Sequence, residues 1–593
     1  MREHRVVSGD VELAVRERGE AERPTVLLLH GFPDTARAWD EVAGHLAERF
    51  HVVTYDVRGA GASSAPEGVE NYRMDLLLED LRAVIDATSP DAPVHLVGHD
   101  WGAMQCWSAV TSPTLAGRIA SFTSAGGVSI DHATGLLRRT ARTDPAAAVR
   151  QLAMSSYIGM IQLPGLPELA VRRAVAPMFA TMLRDQGVAV RAGHPAETLE
   201  KDMLHGLNLY RANMLTPGRA TTTGSTPAGI GTPSAVSVSV PVQIVVCTLD
   251  KYLSTELASA HAGLADRVWV RRVATGHWVQ RTRPGLLSTW IAEFVDAAER
   301  GGVESRRFGA FEGQLVVVTG AGSGIGRATA YGFAANGARV VVADLDEAAA
   351  KHTADGIAGR PGSGREAAYA YQVDVADAEA MRRFAAEVRD THGVPDVVVN
   401  NAGIGIAGQL LETTEEDWDR ITSINLDGVY RGCRLFGRQM AERGEGGHLV
   451  NIASMAAFSP TGSLGAYSAT KAAVLQLSEC LRIELAPAGI GVSAICPGAI
   501  NTPITRNSRY VGVDPEQASE LRDFAARAFE RRNFPPEKVA LAIMRAVLHD
   551  RPVVPVAPEA YVGRALSRFA PSAGRALGRM GERINARRLQ RPS

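Results

Sequence analysis

Short apolar runs alternate with segments of helical periodicity along most of this 593-residue chain. In the first half, Val26 to Leu29, His51 to Asp56, Val94 to Val97 and Pro241 to Cys247 read as strands, and Met74 to Ala87 and Val279 to Phe294 as helices. Leu315 to Val318, Val340 to Ala343 and Leu449 to Ile452 repeat the strand signal in the second half. Such alternation predicts parallel sheets with chemistry at the carboxyl ends of their strands. Residues 129–235 interrupt the first set with helical patterning, closing on a Thr-, Gly-, Ser- and Pro-rich stretch, Thr221 to Ser237, that reads as a loop. Residues 299–312 are polar, charged and Gly-bearing, as a linker would be. The expected organisation is therefore an α/β unit over 1–298 carrying a helical insertion, a second α/β unit over 313–560 and a tail over 561–593.

Composition narrows the partners. A net charge of -1 argues against nucleic acid or an acidic surface as principal partner. Cys106, Cys247, Cys433, Cys480 and Cys496 are widely spaced, with no C-x-x-C pair, so they read as reduced residues. No His, Asp and Glu cluster has metal-ligand spacing, and no metal is expected. The start, Met1-Arg2-Glu3-His4-Arg5, lacks a signal-peptide core, and no apolar run approaches a membrane span. The expected location is cytoplasmic.

The sharpest chemical signal is Gly98-His99-Asp100-Trp101-Gly102, set between the strand at Val94 to Val97 and a helix-compatible segment from Ala103. This is a G-x-nucleophile-x-G elbow, a tight strand-to-helix turn that raises one side chain above the sheet. The raised residue is Asp100, where an esterase would need serine. With a reference pKa of about 4, an aspartate is ionised at neutral pH and attacks without a base. A carboxylate suits attack at saturated carbon, followed by hydrolysis of the ester formed.

His30-Gly31-Phe32-Pro33, the D-x-R-G-x-G-x-S string from Asp56 to Ser63 and the elbow together resemble the epoxide hydrolase branch of the α/β-hydrolase superfamily. The resemblance implies an α/β-hydrolase fold whose helical cap is the 129–235 insertion. It implies that Asp250, after the strand ending at Cys247, orients His277 as base for the hydrolytic water. The backbone N–H groups of Phe32 and Trp101 would form the oxyanion hole. Two cap tyrosines polarise the epoxide oxygen in this family, and Tyr157 and Tyr210 stand in matching contexts. His30 is expected to shape its turn and His99 to lie behind the site. His51, His95, His205 and His261 read as structural or surface residues. Carbon–halogen cleavage is the nearest rival chemistry, using the same aspartate, acid and histidine but needing halide-holding donors where this chain has tyrosines.

The second unit opens on Thr319-Gly320-Ala321-Gly322-Ser323-Gly324-Ile325-Gly326, a Gly-rich turn between strand and helix that suits a pyrophosphate at a helix N-terminus. Asp344 ends the next strand, where a carboxylate takes both ribose hydroxyls and repels a 2′-phosphate, favouring NAD over NADP. With Asp374-Val375, Asn400-Asn401-Ala402-Gly403 and Tyr467-Ser468-Ala469-Thr470-Lys471, the unit resembles the short-chain dehydrogenases, a Rossmann-type doubly wound parallel sheet. Four-residue spacing puts Tyr467 and Lys471 on one helix face. Lys471 can then lower the Tyr467 pKa, so that Tyr467 serves as acid or base toward a carbinol. The resemblance implies that Ser454 holds the substrate oxygen and Asn425 completes a proton relay. It implies that Asp374 and Val375 lie beside the adenine, Asn401, Ala402 and Gly403 beside the cofactor, and Pro497, Gly498 and Thr502 beside the nicotinamide. Family habit adds a homo-oligomer formed through this unit.

In the tail, Arg564, Arg568, Arg575, Arg579, Arg583, Arg587, Arg588 and Arg591 face one acid, Glu582. Leu566, Phe569, Ala573, Leu577, Met580 and Ile584 recur at spacings of three and four, broken by Pro571. This basic amphipathic helix packs on its own unit or a sister subunit, or else makes peripheral membrane contact. The whole chain is similar to hydrolase–dehydrogenase fusions of actinobacteria. That likeness implies hydrolysis of an apolar epoxide to a vicinal diol and NAD-dependent chemistry on an alcohol or carbonyl, the diol included. The alternatives are a dehalogenase-type first unit, or a silent first unit acting as a lipid-binding scaffold.

Overall fold

The computed structural model describes residues 1–214, 238–360, 367–459 and 461–589. Contacts divide the chain into two compact units, Met1–Phe308 and Gly309–Ser593.

The strands of the first unit are β1 (Arg2–Ser8), β2 (Val11–Arg18), β3 (Thr25–Leu29), β4 (His51–Tyr55), β5 (Val94–His99), β6 (Ile119–Ala125), β7 (Val242–Cys247), β8 (Val268–Val273) and β9 (Arg306–Arg307). They form one sheet in the order β1-β2-β4-β3-β5-β6-β7-β8-β9. Among the described strands of this sheet, the β1–β2 and β2–β4 pairs are antiparallel and the rest parallel. Residues alternate between buried and exposed at the start of β2, whereas every residue of β3 and β5 is buried. Strands covered by helices on both faces need apolar side chains at consecutive positions, and Thr-Val-Leu-Leu-Leu meets that demand. Asp56, Arg58 and Ser63 of the D-x-R-G-x-G-x-S string turn out to brace the fold. Asp56 accepts from the N–H groups of Ala36 and Ala62, and Arg58 makes a two-pronged pair with Asp80, at 2.6 Å on each prong.

Between β6 and β7 the cap's helices run from Ile130 to Asn213, and Phe179, Leu183, Val188 and Met203 seat it on Trp278 of the core. The last part of the 129–235 insertion and all of the Thr221 to Ser237 loop lie outside the described residues.

The 299–312 linker expected from polarity is not free chain. Val303 is buried against Phe294 and Ala297. β9 pairs with β8, and the Phe308 ring packs 5.0 Å from Trp269 and 4.0 Å from the Arg271 guanidinium. Phe311 in turn stacks edge-on with Phe333 at 4.6 Å in the second unit. Three apolar anchors in a charged stretch fold each half of the seam onto its own unit. An average over polarity hides them.

The second unit contains β10 (Leu315–Thr319), β11 (Arg339–Asp344), β12 (Ala368–Gln372), β13 (Val397–Asn400), β14 (Ile406–Ala407), β15 (Gly447–Ile452), β16 (Ile490–Pro497), β17 (Arg509–Tyr510) and β18 (Val553–Val556). Seven form an all-parallel sheet, β12-β11-β10-β13-β15-β16-β18, and β14 and β17 pair separately. Val316, Val318, Val340 and Val342 enter the core on one face, while Val317, Val341 and Val398 enter it on the other. The order reverses between β10 and β13, which opens a crevice at their carboxyl ends. The chain ends in helices Pro558–Phe569 and Pro571–Leu589, so the tail begins a turn before residue 561, at a proline that suits a helix start.

Candidate active sites

Asp100 sits at φ 52° and ψ -119°, a strained conformation for a residue with a side chain. Its surroundings hold it there. A Cβ on Gly98 would fall 2.5 Å from the Ala103 Cα, and one on Gly102 2.4 Å from the Leu29 carbonyl oxygen. The elbow therefore needs both glycines, and helix Trp101–Ala109 starts immediately after it. The Phe32 N–H donates to Asp100 Oδ1 at 2.8 Å. Asp100 Oδ2 lies 3.5 Å from His277 Nε2.

On its other side His277 Nδ1 meets Asp250 Oδ2 at 2.8 Å. Asp250 is fixed in turn, its Oδ1 accepting from the N–H groups of Tyr252 at 2.7 Å and Leu253 at 3.1 Å. Burial alone would push the His277 imidazole below its usual 6.5. The Asp250 carboxylate, joined by Asp100, reverses this and raises it to about 10. At neutral pH the imidazole therefore keeps its second proton.

Tyr157 and Tyr210 come from separate cap helices, Ser156–Ile161 and Leu199–Asn213, with ring centroids 5.9 Å apart. Tyr210 packs 5.0 Å from Trp101 and 5.5 Å from Phe32, which places it over the elbow. Burial, reinforced by the Asp100 charge, pushes both phenols above their usual range, so they remain protonated donors. The structure thus brings Asp100, Asp250, His277, Tyr157, Tyr210, Phe32 and Trp101 to one place.

Sequence reading missed two neighbours of this group. The Tyr252 ring stands 4.9 Å from His277 and 6.1 Å from Tyr157. Buried Asp34 accepts from the Trp278 indole N–H at 2.9 Å and meets His194 of the cap at 2.9 Å. Burial opposes its charge, but His194 prevails and lowers Asp34 to about 2. Its position directly after His30-Gly31-Phe32-Pro33 was the available signal. His30 takes the expected turn-shaping role, with Nδ1 on the Gly31 carbonyl and Nε2 accepting from the Val57 N–H. His99 sits behind the site, bonded to the His277 carbonyl and Gln280, and burial followed by the His277 charge lowers it to about 4.

In the second unit a cavity of about 1410 Å³ opens at the reversal point, lined by Gly320, Ser323, Asp344, Asn401, Tyr467 and Lys471 among others. Gly320 and Gly324 have φ of 62° and 52°. A Cβ on Gly326 would lie 2.1 Å from the Gly320 carbonyl oxygen, so this turn closes only with glycine there. Asp344 Oδ2 accepts from the Gly322 N–H at 2.7 Å, which holds the carboxylate beside the turn. Asn401 Nδ2 donates to the carbonyls of Thr319 and Gly320, tying β13 to the same turn. Asp374 Oδ1 accepts from the Ala376 N–H, and Val375 packs on Gly428. A clear backbone floor and an acceptor at the end of β11 fit a dinucleotide.

Across the cavity Lys471 Nζ donates to the Ile452 carbonyl at 2.8 Å, and burial lowers its pKa to about 8. Burial raises the Tyr467 phenol, while a hydrogen bond from Ser454 acts the other way. Asn425, fully buried in the π-helical turn Ser423–Asp427, grips both polar backbone atoms of Ile404, at 2.8 and 3.0 Å. A Cβ on Gly403 would be 3.1 Å from Asn425 Oδ1 and 3.4 Å from Lys471 Nζ, so Gly403 lets the two groups approach. Pro497 ends β16 and Gly498 follows, while Thr502 returns to touch Gly324. Glu559, which sequence reading passed over, accepts from the Ala499 N–H and pairs with Arg532.

Among the described residues no group of three or more His, Cys, Asp and Glu could hold a metal, and no helix is long and apolar enough to cross a membrane.

Residues 24–153 match the alpha/beta hydrolase fold family, and residues 314–510 match the short chain dehydrogenase family. A probable oxidoreductase of Mycobacterium tuberculosis, EphD, is 41% identical over 586 residues, covering 96% of this chain and 97% of that protein. The meso-2,3-butanediol dehydrogenase of Serratia marcescens is 34% identical over 241 residues, covering 40% of this chain and 89% of the enzyme. A short chain dehydrogenase/reductase from Burkholderia phymatum, crystallised with NAD, is 30% identical with a TM-score of 0.40, covering 43% of this chain and 93% of that one.

Proposed function

Because the chain belongs to the family of fusions between an α/β-hydrolase fold and a short-chain dehydrogenase, represented by EphD, we propose that it hydrolyses an apolar epoxide in its first unit and oxidises or reduces an alcohol or carbonyl in its second. The observation that carries the first half is an aspartate raised at the elbow beneath two cap tyrosines whose phenols burial keeps protonated. Asp100 Oδ2, free of the Phe32 amide, attacks a ring carbon. The ring C–O bond breaks, and its oxygen takes a proton from Tyr157 or Tyr210. The product is an ester at Asp100.

Ester formation removes the Asp100 charge, one of the two that keep His277 protonated. The imidazole passes its proton to the tyrosinate left by ring opening and becomes the base for water. Water gives one proton to His277 as it attacks the ester carbonyl, the oxyanion forms on Oδ1 against the N–H groups of Phe32 and Trp101, and collapse expels the diol alkoxide, which takes the second water proton as Asp100 returns to its carboxylate. Single turnover in ¹⁸O-labelled water tests this. Label in the Asp100 side chain is expected, and diol formed without such label refutes the ester route.

The dehydrogenase unit uses a nicotinamide cofactor, which when bound exchanges hydride with the substrate carbon. The glycine turn, Asn401 and Asp344 would hold it, and the Asp344 carboxylate supports NAD over NADP. Tyr467 exchanges the hydroxyl proton, Ser454 orients the substrate oxygen, and Lys471 supplies positive charge beside the phenol. A vicinal diol is a fair substrate here, since a relative of this unit is named for a diol. Following one epoxide with NAD present is expected to give diol first and hydroxyketone after it. A diol left untouched would separate the two activities for that substrate.

A further inference from the structure

The two C-terminal helices leave most of their surface uncovered. Helix Pro558–Phe569 is anchored at its start, where Glu559 holds the Ala499 N–H and Arg532, and by Arg564, which donates to the Val553 carbonyl at 3.0 Å. Only Ala560 and Gly563 are buried in it. After Pro571 the second helix runs to Leu589, and from Pro571 to Met580 no residue is buried. Its exposed side chains are not all polar. Phe569 at the junction is 81% exposed, Leu577 50% and Met580 54%.

At 100° per residue, Ala573, Leu577 and Met580 share one face, and the sequence continues that spacing to Ile584. Arg575, Arg579, Arg583 and Arg587 recur every fourth position, a stripe that starts on the far side of the helix at Arg575 and drifts to the edge of the apolar face by Arg587. Among residues 561–593 only Glu582 opposes eight arginines. Two copies of so basic a helix would repel each other. A nucleic acid would match the arginines but leave Phe569, Leu577 and Met580 in water. An anionic lipid surface satisfies both stripes at once. Apolar side chains enter the acyl boundary while guanidinium groups reach the phosphates on long stems.

We propose that the segment from Phe569 to Leu589 docks the dehydrogenase unit on the surface of an anionic lipid bilayer. It lies on the membrane without crossing it, and it is rooted through Glu559 at the loop that follows Pro497 and Gly498. Flotation of the full chain tests this, using vesicles of phosphatidylcholine alone and of phosphatidylcholine mixed with phosphatidylglycerol. Flotation with the anionic vesicles only, lost as salt shortens the Debye length, is the expected result. Each arginine held at the lipid surface contributes roughly fivefold to partitioning, so Arg583→Gln with Arg587→Gln, the pair nearest the apolar face, should weaken it about 25-fold. Leu577→Asn with Met580→Asn should weaken it too, and both pairs should leave dehydrogenase turnover without vesicles unchanged. The proposal is overturned if the parent chain fails to float, floats equally with neutral vesicles, or is matched by both variants. It is also overturned if the variants change only the oligomeric mass, which would make the surface a contact between copies.

Discussion

Replacing Asp100 by Asn imitates the charge state of the ester while keeping the shape of the side chain, so it isolates the electrostatic link between nucleophile and base. The wild-type imidazole is held at about 10 by two carboxylates against the penalty of burial. An opposite charge within a few ångströms is worth roughly 1–3 in pKa, and Asp100 Oδ2 is 3.5 Å from Nε2. His277 in Asp100→Asn should therefore titrate roughly 1–3 lower than in the parent, a difference of about 1.4–4 kcal/mol. Imidazole ¹⁵N chemical shifts followed against pH read this directly. Stability gives a second measure. The folded pKa lies above the usual imidazole value of 6.5, so the bound proton stabilises the fold fully below that pH, and its contribution disappears as pH climbs through about 10. In the variant that loss should arrive at lower pH. If His277 titrates in Asp100→Asn at or above its parent value, the discharge of the base by ester formation is wrong.

Three further outcomes are expected. Asp344→Ala should weaken NAD by roughly 10- to 150-fold in calorimetric titrations, from lost charge-assisted hydrogen bonds, and let NADP compete. Tyr467→Phe should lower dehydrogenase kcat by roughly 10²–10⁴ with NAD affinity, read by fluorescence, unchanged. Arg58→Ala should strand the Asp80 carboxylate, which is 1% exposed, and cost the first unit roughly 3–5 kcal/mol in urea unfolding.

The gathering of each candidate site was legible because its residues are concentrated in short strings whose local geometry is demanding. Gly98 and Gly102 stand where any Cβ would strike backbone, and Tyr467 and Lys471 are one helical turn apart. Valine-rich strands announced the sheets for the same reason, since double-sided burial needs consecutive apolar residues. What stayed hidden depends on partners distant in the chain. Nothing near Asp34 announces His194 or Trp278, and nothing near Glu559 announces Ala499 and Arg532. Tyr252 follows Asp250 closely but belongs to no motif, so only its ring packing on His277 reveals it. The order within the seam stayed hidden for another reason. Phe308 and Phe311 are outnumbered by charged neighbours, yet two well-placed aromatic rings outweigh the average polarity of a segment. The tail helices were legible as helices, but their sparse contact with the unit that carries them was not.

The Phe32 amide distinguishes the two oxygens of a single carboxylate before any substrate arrives. For chemistry of the kind proposed, that one N–H aims the reagent in the opening reaction and cradles the charge in the closing one. The two rates are then geared together. A change that loosens the His30-to-Pro33 loop should let the carboxylate swivel and slow both halves of the cycle, so neither half can be retuned through this loop alone.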